Sequence, residues 1–186
     1  MNNRITEWRY SLSEFKTQAI VLFGFVSIIW ALEIFDFVLG TLGFGWSTNV
    51  FGILPRTISG LPGILLAPFL HGNFAHVAAN TVPFLILGGL IMLRKPANFW
   101  AVSIATTIMG GLGVWLFGRT SIHLGASGMI FGYFGFLLTL GYFERSVSAV
   151  VQSIIVGALY GGLIWGILPT QPGISWEGHL FGFLAG

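Results

Sequence analysis

Gly125-Ala126-Ser127-Gly128 runs directly into Met129-Ile130-Phe131-Gly132-Tyr133-Phe134-Gly135-Phe136-Leu137-Leu138, and the apolar character continues to Phe143. A serine between glycines thus opens an apolar run in a chain that is apolar almost throughout. Its hydroxyl is either a packing device or a nucleophile. A base at the same depth elsewhere in the chain would decide between them. There are four histidines, and one of them, His179, opens another apolar run in Gly178-His179-Leu180-Phe181-Gly182.

Outward from this stretch, composition sets the class. Of 186 residues 55% are hydrophobic and only 8% charged, with a mean hydropathy of +0.87. A soluble domain carries about 25% charged residues, and too few remain here to coat a water-exposed surface. The runs are continuously apolar, where a membrane β-barrel would alternate. The reading is an all-α, multi-pass membrane protein embedded in a lipid bilayer. The 27 glycines point to close helix packing, since small residues let membrane helices approach. Without cysteine there is no disulfide or thiol chemistry.

An apolar run of about 20 residues crosses a bilayer. Six spans are expected, over 18–39, 74–93, 98–117, 127–143, 147–168 and 176–186, after a polar segment over 1–17. No cleavable signal peptide is expected, because the first apolar run is long enough to span. The long loop over 40–73 is apolar enough to lie in the interface. The last run is worth roughly 16 Å of helix at about 1.5 Å per residue, short of a core of about 30 Å. The expectation is therefore a six-helix bundle whose last helix is truncated at Gly186.

Lys and Arg set orientation. With a cytoplasmic N-terminus, that side holds Arg4, Arg9, Lys16, Arg94, Lys95 and Arg145, against Arg56 and Arg119 on the other. Spans two, four and six then begin on the outer side. His71, His76 and Asn80, then Ser127, then His179 all fall at those ends. The expected location is the cell (plasma or inner) membrane, with a site open to the outer side.

Polar groups inside a bilayer are costly, so an intramembrane histidine is a functional candidate. Ser127 is either a nucleophile or a helix cap. Flanking glycines leave its hydroxyl exposed and backbone N–H groups free for an oxyanion. His179 is a general base or a core histidine bonded to a carbonyl. Gly178, Gly182 and Gly186 repeat at spacing four, as do Gly128 and Gly132; a seam between them would bring Ser127 and His179 together. His76 and Asn80 lie on one helical face, either donating to an oxyanion or locking helix packing. His71 falls on another face and reads as a loop residue. No metal is expected: there is no His-Glu-x-x-His and no cysteine, and Glu177 reads as an interfacial charge. Glu33 and Asp36 read as interfacial acids.

His71-x-x-x-x-His76-x-x-x-Asn80, Gly125-Ala126-Ser127-Gly128 and Gly178-His179 with Gly182 and Gly186 together resemble the rhomboid family of intramembrane serine proteases, prokaryotic type. The likeness covers nearly the whole chain. It implies a rhomboid-like bundle over 18–186, with Ser127 as nucleophile, His179 as base, and His76, Asn80 and the Ser127 N–H as oxyanion hole. His71, Gly125, Gly128 and Phe131 would be auxiliary. It implies hydrolysis of peptide bonds in or near transmembrane segments of substrate proteins, without a cofactor and without nucleic acid. Family members often place a tyrosine four residues after the nucleophile; here it is Phe131. The Trp-Arg pair of the first loop is absent, with Arg56 nearby. The competing reading is a catalytically silent relative that binds transmembrane helices. The sequence leaves substrate and oligomeric state open.

Overall fold

A computed structural model describes residues 2–170 and 173–186, with side chains from Ser13 onward. The side chains of Arg4, Glu7 and Arg9 lie outside the described residues. The chain opens with α1 (Asn2–Thr41), then a loop with two 3-10 turns (Thr48–Phe51 and Ile58–Gly60). The short α2 (Gly63–Leu66) runs into a 3-10 turn, and α3 spans Phe74–Arg94. Next, α4 (Pro96–Ala105) passes through a π-helical stretch over Thr106–Gly110 into α5 (Gly111–Phe117). Three helices complete the fold: α6 (Ser127–Glu144), α7 (Val147–Tyr160) with a 3-10 extension to Ile167, and α8 (Trp176–Ala185).

Local chemistry sets the helix starts. Asn73 caps α3 by accepting the His76 N–H at 2.9 Å. Ser146 caps α7 through Ala149 N–H at 3.2 Å, and Ser175 caps α8 through Gly178 N–H at 3.1 Å. Each satisfies an orphan donor of a helix N-terminus. Pro96 opens α4, where its missing N–H costs nothing. Arg145 turns α6 into α7 with a left-handed φ of 52°.

The core gathers where α3, α4 and α6 meet, around Phe84, Leu87, Ile91, Phe99, Tyr133 and Phe134. The Tyr133 hydroxyl is buried there and shares a hydrogen bond of 2.7 Å with Ser103. At the other margin Trp30 donates to Thr81 at 3.0 Å, tying α1 to α3. Large apolar side chains such as Phe23, Trp100, Ile104, Phe117, Ile154 and Leu159 face outward. So broad an apolar exterior suits lipid and not water.

Four helical segments are long and apolar enough to cross a membrane: Ser13–Thr41, Phe74–Arg94, Pro96–Phe117 and Val147–Ile167. The expectation of six spans is met only that far. The fourth expected run is α6, and the sixth is the ten-residue α8; neither belongs to that set. The reason for α6 is its place in the middle. It packs against α3, α4, α7 and α8, so its glycines and Tyr133 face protein.

The contact of α6 with α8 is made through glycine. A methyl on Gly182 would stand 2.1 Å from the Gly128 carbonyl oxygen, and one on Gly186 2.0 Å from that of Gly132. Backbones therefore touch, as the repeated small residues anticipated.

Candidate active site

The N-terminal ends of α3, α6 and α8 converge on one open cavity of about 790 Å³. His76 and Asn80 of α3, Ser127 and Phe131 of α6, and His179 of α8 line it, with the 3-10 extension of α7 contributing Trp165 and Gly166.

Ser127 is the first residue of α6, and Ala126 occupies the cap position without a side-chain hydrogen bond. The alternative of Ser127 as a helix cap is thereby corrected. Its hydroxyl faces the cavity and has no hydrogen-bond partner among the described residues. Its N–H belongs to the unpaired donors that every helix start presents.

Gly125 adopts φ +116°, a conformation that side chains rarely allow. A methyl there would also lie 2.7 Å from His76 Nε2 and 3.6 Å from Asn80 Nδ2. The glycine thus lets the loop before Ser127 pass directly against the two side chains of α3. Asn80 is buried, and its Nδ2 has no partner. A buried amide donor left unsatisfied is costly, and such groups call for an explanation.

His179 is held on two sides. Its Nδ1 lies 2.9 Å from the Gly166 carbonyl oxygen, which can only accept. That bond puts the proton on Nδ1 and leaves Nε2 as the basic nitrogen. The ring lies face to face with Phe131, centroids 4.0 Å apart and planes 7° from parallel. No hydrogen bond joins Ser127 to His179.

His71 lies in the loop before α3, buried, with its ring 4.9 Å from that of His76. Its Nε2 accepts the Ala126 N–H at 3.4 Å. Burial, and then the neighbouring His76, push its pKa down to about 4. It stays neutral and steadies the residue before Ser127.

One reading needs correction and one residue was missed. Glu177 is not an interfacial charge: it is 2% exposed and accepts the Arg119 N–H at 3.2 Å, with the Arg119 guanidinium 3.6 Å away. Glu33 is buried as well, while Asp36 receives Ser47 Oγ at 2.6 Å and Thr48 N–H at 2.7 Å, holding the start of the first loop. The missed residue is His123, which touches Ser175; a partner 52 positions away leaves no trace in sequence spacing. Among the described residues no three His, Cys, Asp or Glu side chains form a group that could hold a metal ion.

The Rhomboid domain model matches residues 59–186. The chain belongs to the rhomboid family. This rhomboid is 40% identical over 172 residues to the uncharacterized protein Rv1337 of Mycobacterium tuberculosis, covering 87% of this chain and 69% of the relative. It is 29% identical over 145 residues to the putative rhomboid protease YdcA of Bacillus subtilis, covering 76% of this chain and 72% of the relative. Against RHOMBOID-like protein 4 of Arabidopsis thaliana the identity is 29% over 131 residues, 66% of this rhomboid and 32% of that protein. No solved structure matches.

Proposed function

We propose that this rhomboid is an intramembrane serine endopeptidase that cuts peptide bonds in or near transmembrane segments of other membrane proteins. The observation that carries the reading is one cavity lined by a serine hydroxyl without a partner, a histidine whose Nδ1 is already committed, and a buried amide donor with nothing to bond.

The chemistry follows from those atoms. Ser127 Oγ attacks the scissile carbonyl carbon while His179 Nε2 takes its proton. The tetrahedral oxyanion receives hydrogen bonds from His76, Asn80 and the Ser127 N–H. The C–N bond then breaks, and the proton on His179 passes to the leaving amine. Water attacks the resulting ester with His179 again as base, releasing the acid and restoring Ser127. All the groups required are on the chain.

Orientation belongs to the same reading. A cytoplasmic N-terminus and a cavity facing the outer side rest on the six-to-two distribution of Lys and Arg.

The test is Ser127→Ala in purified, reconstituted protein with a model transmembrane substrate. Cleavage is expected to vanish while thermal unfolding is unchanged. Undiminished cleavage overturns the reading. Fluorophosphonate labelling that depends on Ser127 separates it from a silent helix-binding relative.

A further inference from the structure

His123 lies outside the cavity's set of candidate groups, yet it is 3% exposed and every polar atom of its ring is engaged. Its Nε2 lies 3.0 Å from the Arg119 carbonyl oxygen. That oxygen only accepts, so Nε2 carries the proton and Nδ1 is the acceptor. The Ser175 hydroxyl lies 2.6 Å from Nδ1 and donates to it. The same hydroxyl accepts the Gly178 N–H. The bonds therefore run in one direction, from Gly178 N–H to Ser175, to His123, to the Arg119 carbonyl.

This chain of bonds has a definite place. Ser175 caps α8 and its carbonyl accepts the His179 N–H at 3.2 Å, so it fixes the turn that presents the base. His123 stands four residues before Ser127 and exchanges two backbone hydrogen bonds with Ile53, at 2.8 and 2.9 Å. Glu177, on the same first turn of α8, takes the Arg119 N–H. The loop that delivers Ser127 and the helix that delivers His179 are thus clamped to each other through residues distinct from the Gly166 and Phe131 contacts of His179.

We propose that His123 is a positioning residue, which through Ser175 holds the first turn of α8, and so His179, in register with Ser127. The inference rests on the protease reading above.

The experiment is a double-variant cycle of His123→Phe and Ser175→Ala, with rates per active site counted by exhaustive fluorophosphonate labelling. Misfolded protein then lowers the number of sites and not the rate per site. Each single variant is expected to lower kcat about 10- to 100-fold, the scale of a misplaced catalytic group, with KM within about threefold. The double variant should be no slower than the worse single, because both remove one connection. Ser175→Thr, which keeps the hydroxyl, should restore wild-type kcat within about threefold. Unchanged kcat in His123→Phe, or losses that multiply, overturns the proposal. If His123→Phe yields too few sites, the contrast between Ser175→Ala and Ser175→Thr decides alone, and equal rates overturn it. Ser127→Ala run beside them reports separately on the protease reading, which fails only if that variant cuts like wild type.

Discussion

The ring of His179 rests flat on that of Phe131, 4.0 Å between centroids, and both close over Gly166. A methyl on Gly166 would stand 2.8 Å from Phe131 Cζ and 3.2 Å from His179 Nδ1. Gly166→Ala should therefore displace the stacked pair or break the bond that fixes the tautomer. Cleavage should fall about tenfold or more with the unfolding temperature little changed. Normal kcat in this variant would show that the stack is free to move.

Asn80 makes a sharper case. Its unpaired buried Nδ2 costs stability while serving nothing in the resting protein. Asn80→Ala should lower kcat by about 10²–10³, the loss typical of one oxyanion donor, with KM nearly constant. Thermal stability should hold or rise. A variant that is both slower and clearly less stable would mark Asn80 as a packing residue.

Gly182→Ala tests the helix contact. The added methyl meets the Gly128 carbonyl at 2.1 Å, and the obstacle is backbone, which cannot rotate away. Overpacking of this kind costs about 1–3 kcal/mol. Both a lower unfolding temperature in detergent and loss of cleavage are expected. Gly89→Ala, whose methyl would meet only Leu22 Cδ1 at 3.7 Å, is the matched control and should change neither.

His71 gives the pH dependence. Its pKa is held at about 4 in the fold against 6.5 in the open chain. The unfolded state therefore binds the proton first as pH falls. The His71 contribution is complete above pH 6.5, declines between 6.5 and about 4, and loses no more below that, by at most about 3 kcal/mol. Unfolding midpoints across that window should fall in wild type, and less steeply in His71→Phe. Equal slopes would show that other groups carry the acid sensitivity.

The helical character and the membrane class were legible because long apolar runs leave few alternatives to helix in lipid. Glycine spacing made the α6–α8 contact legible too, since residues four apart share a face. Glu177 was misread because a carboxylate beside a helix start looks solvated when its partner, Arg119, is remote in sequence. The identity of Gly166 as the carbonyl that His179 bonds, and the engagement of His123 by Ser175, escaped because both bonds join separate elements of the chain. The count of six spans is not confirmed at α6, whose glycines serve packing against protein and weaken the apolar signal expected of a lipid-facing helix.

At Gly128 and Gly182 no side chain stands between the two helices that carry Ser127 and His179. The separation of Ser127 and His179 is then limited by the radii of main-chain atoms, a length no side-chain exchange at this contact can shorten. Substitutions around the cavity can reshape what enters it and how the His179 ring is held. The spacing of the pair itself is the one dimension of this site that sequence change can only widen.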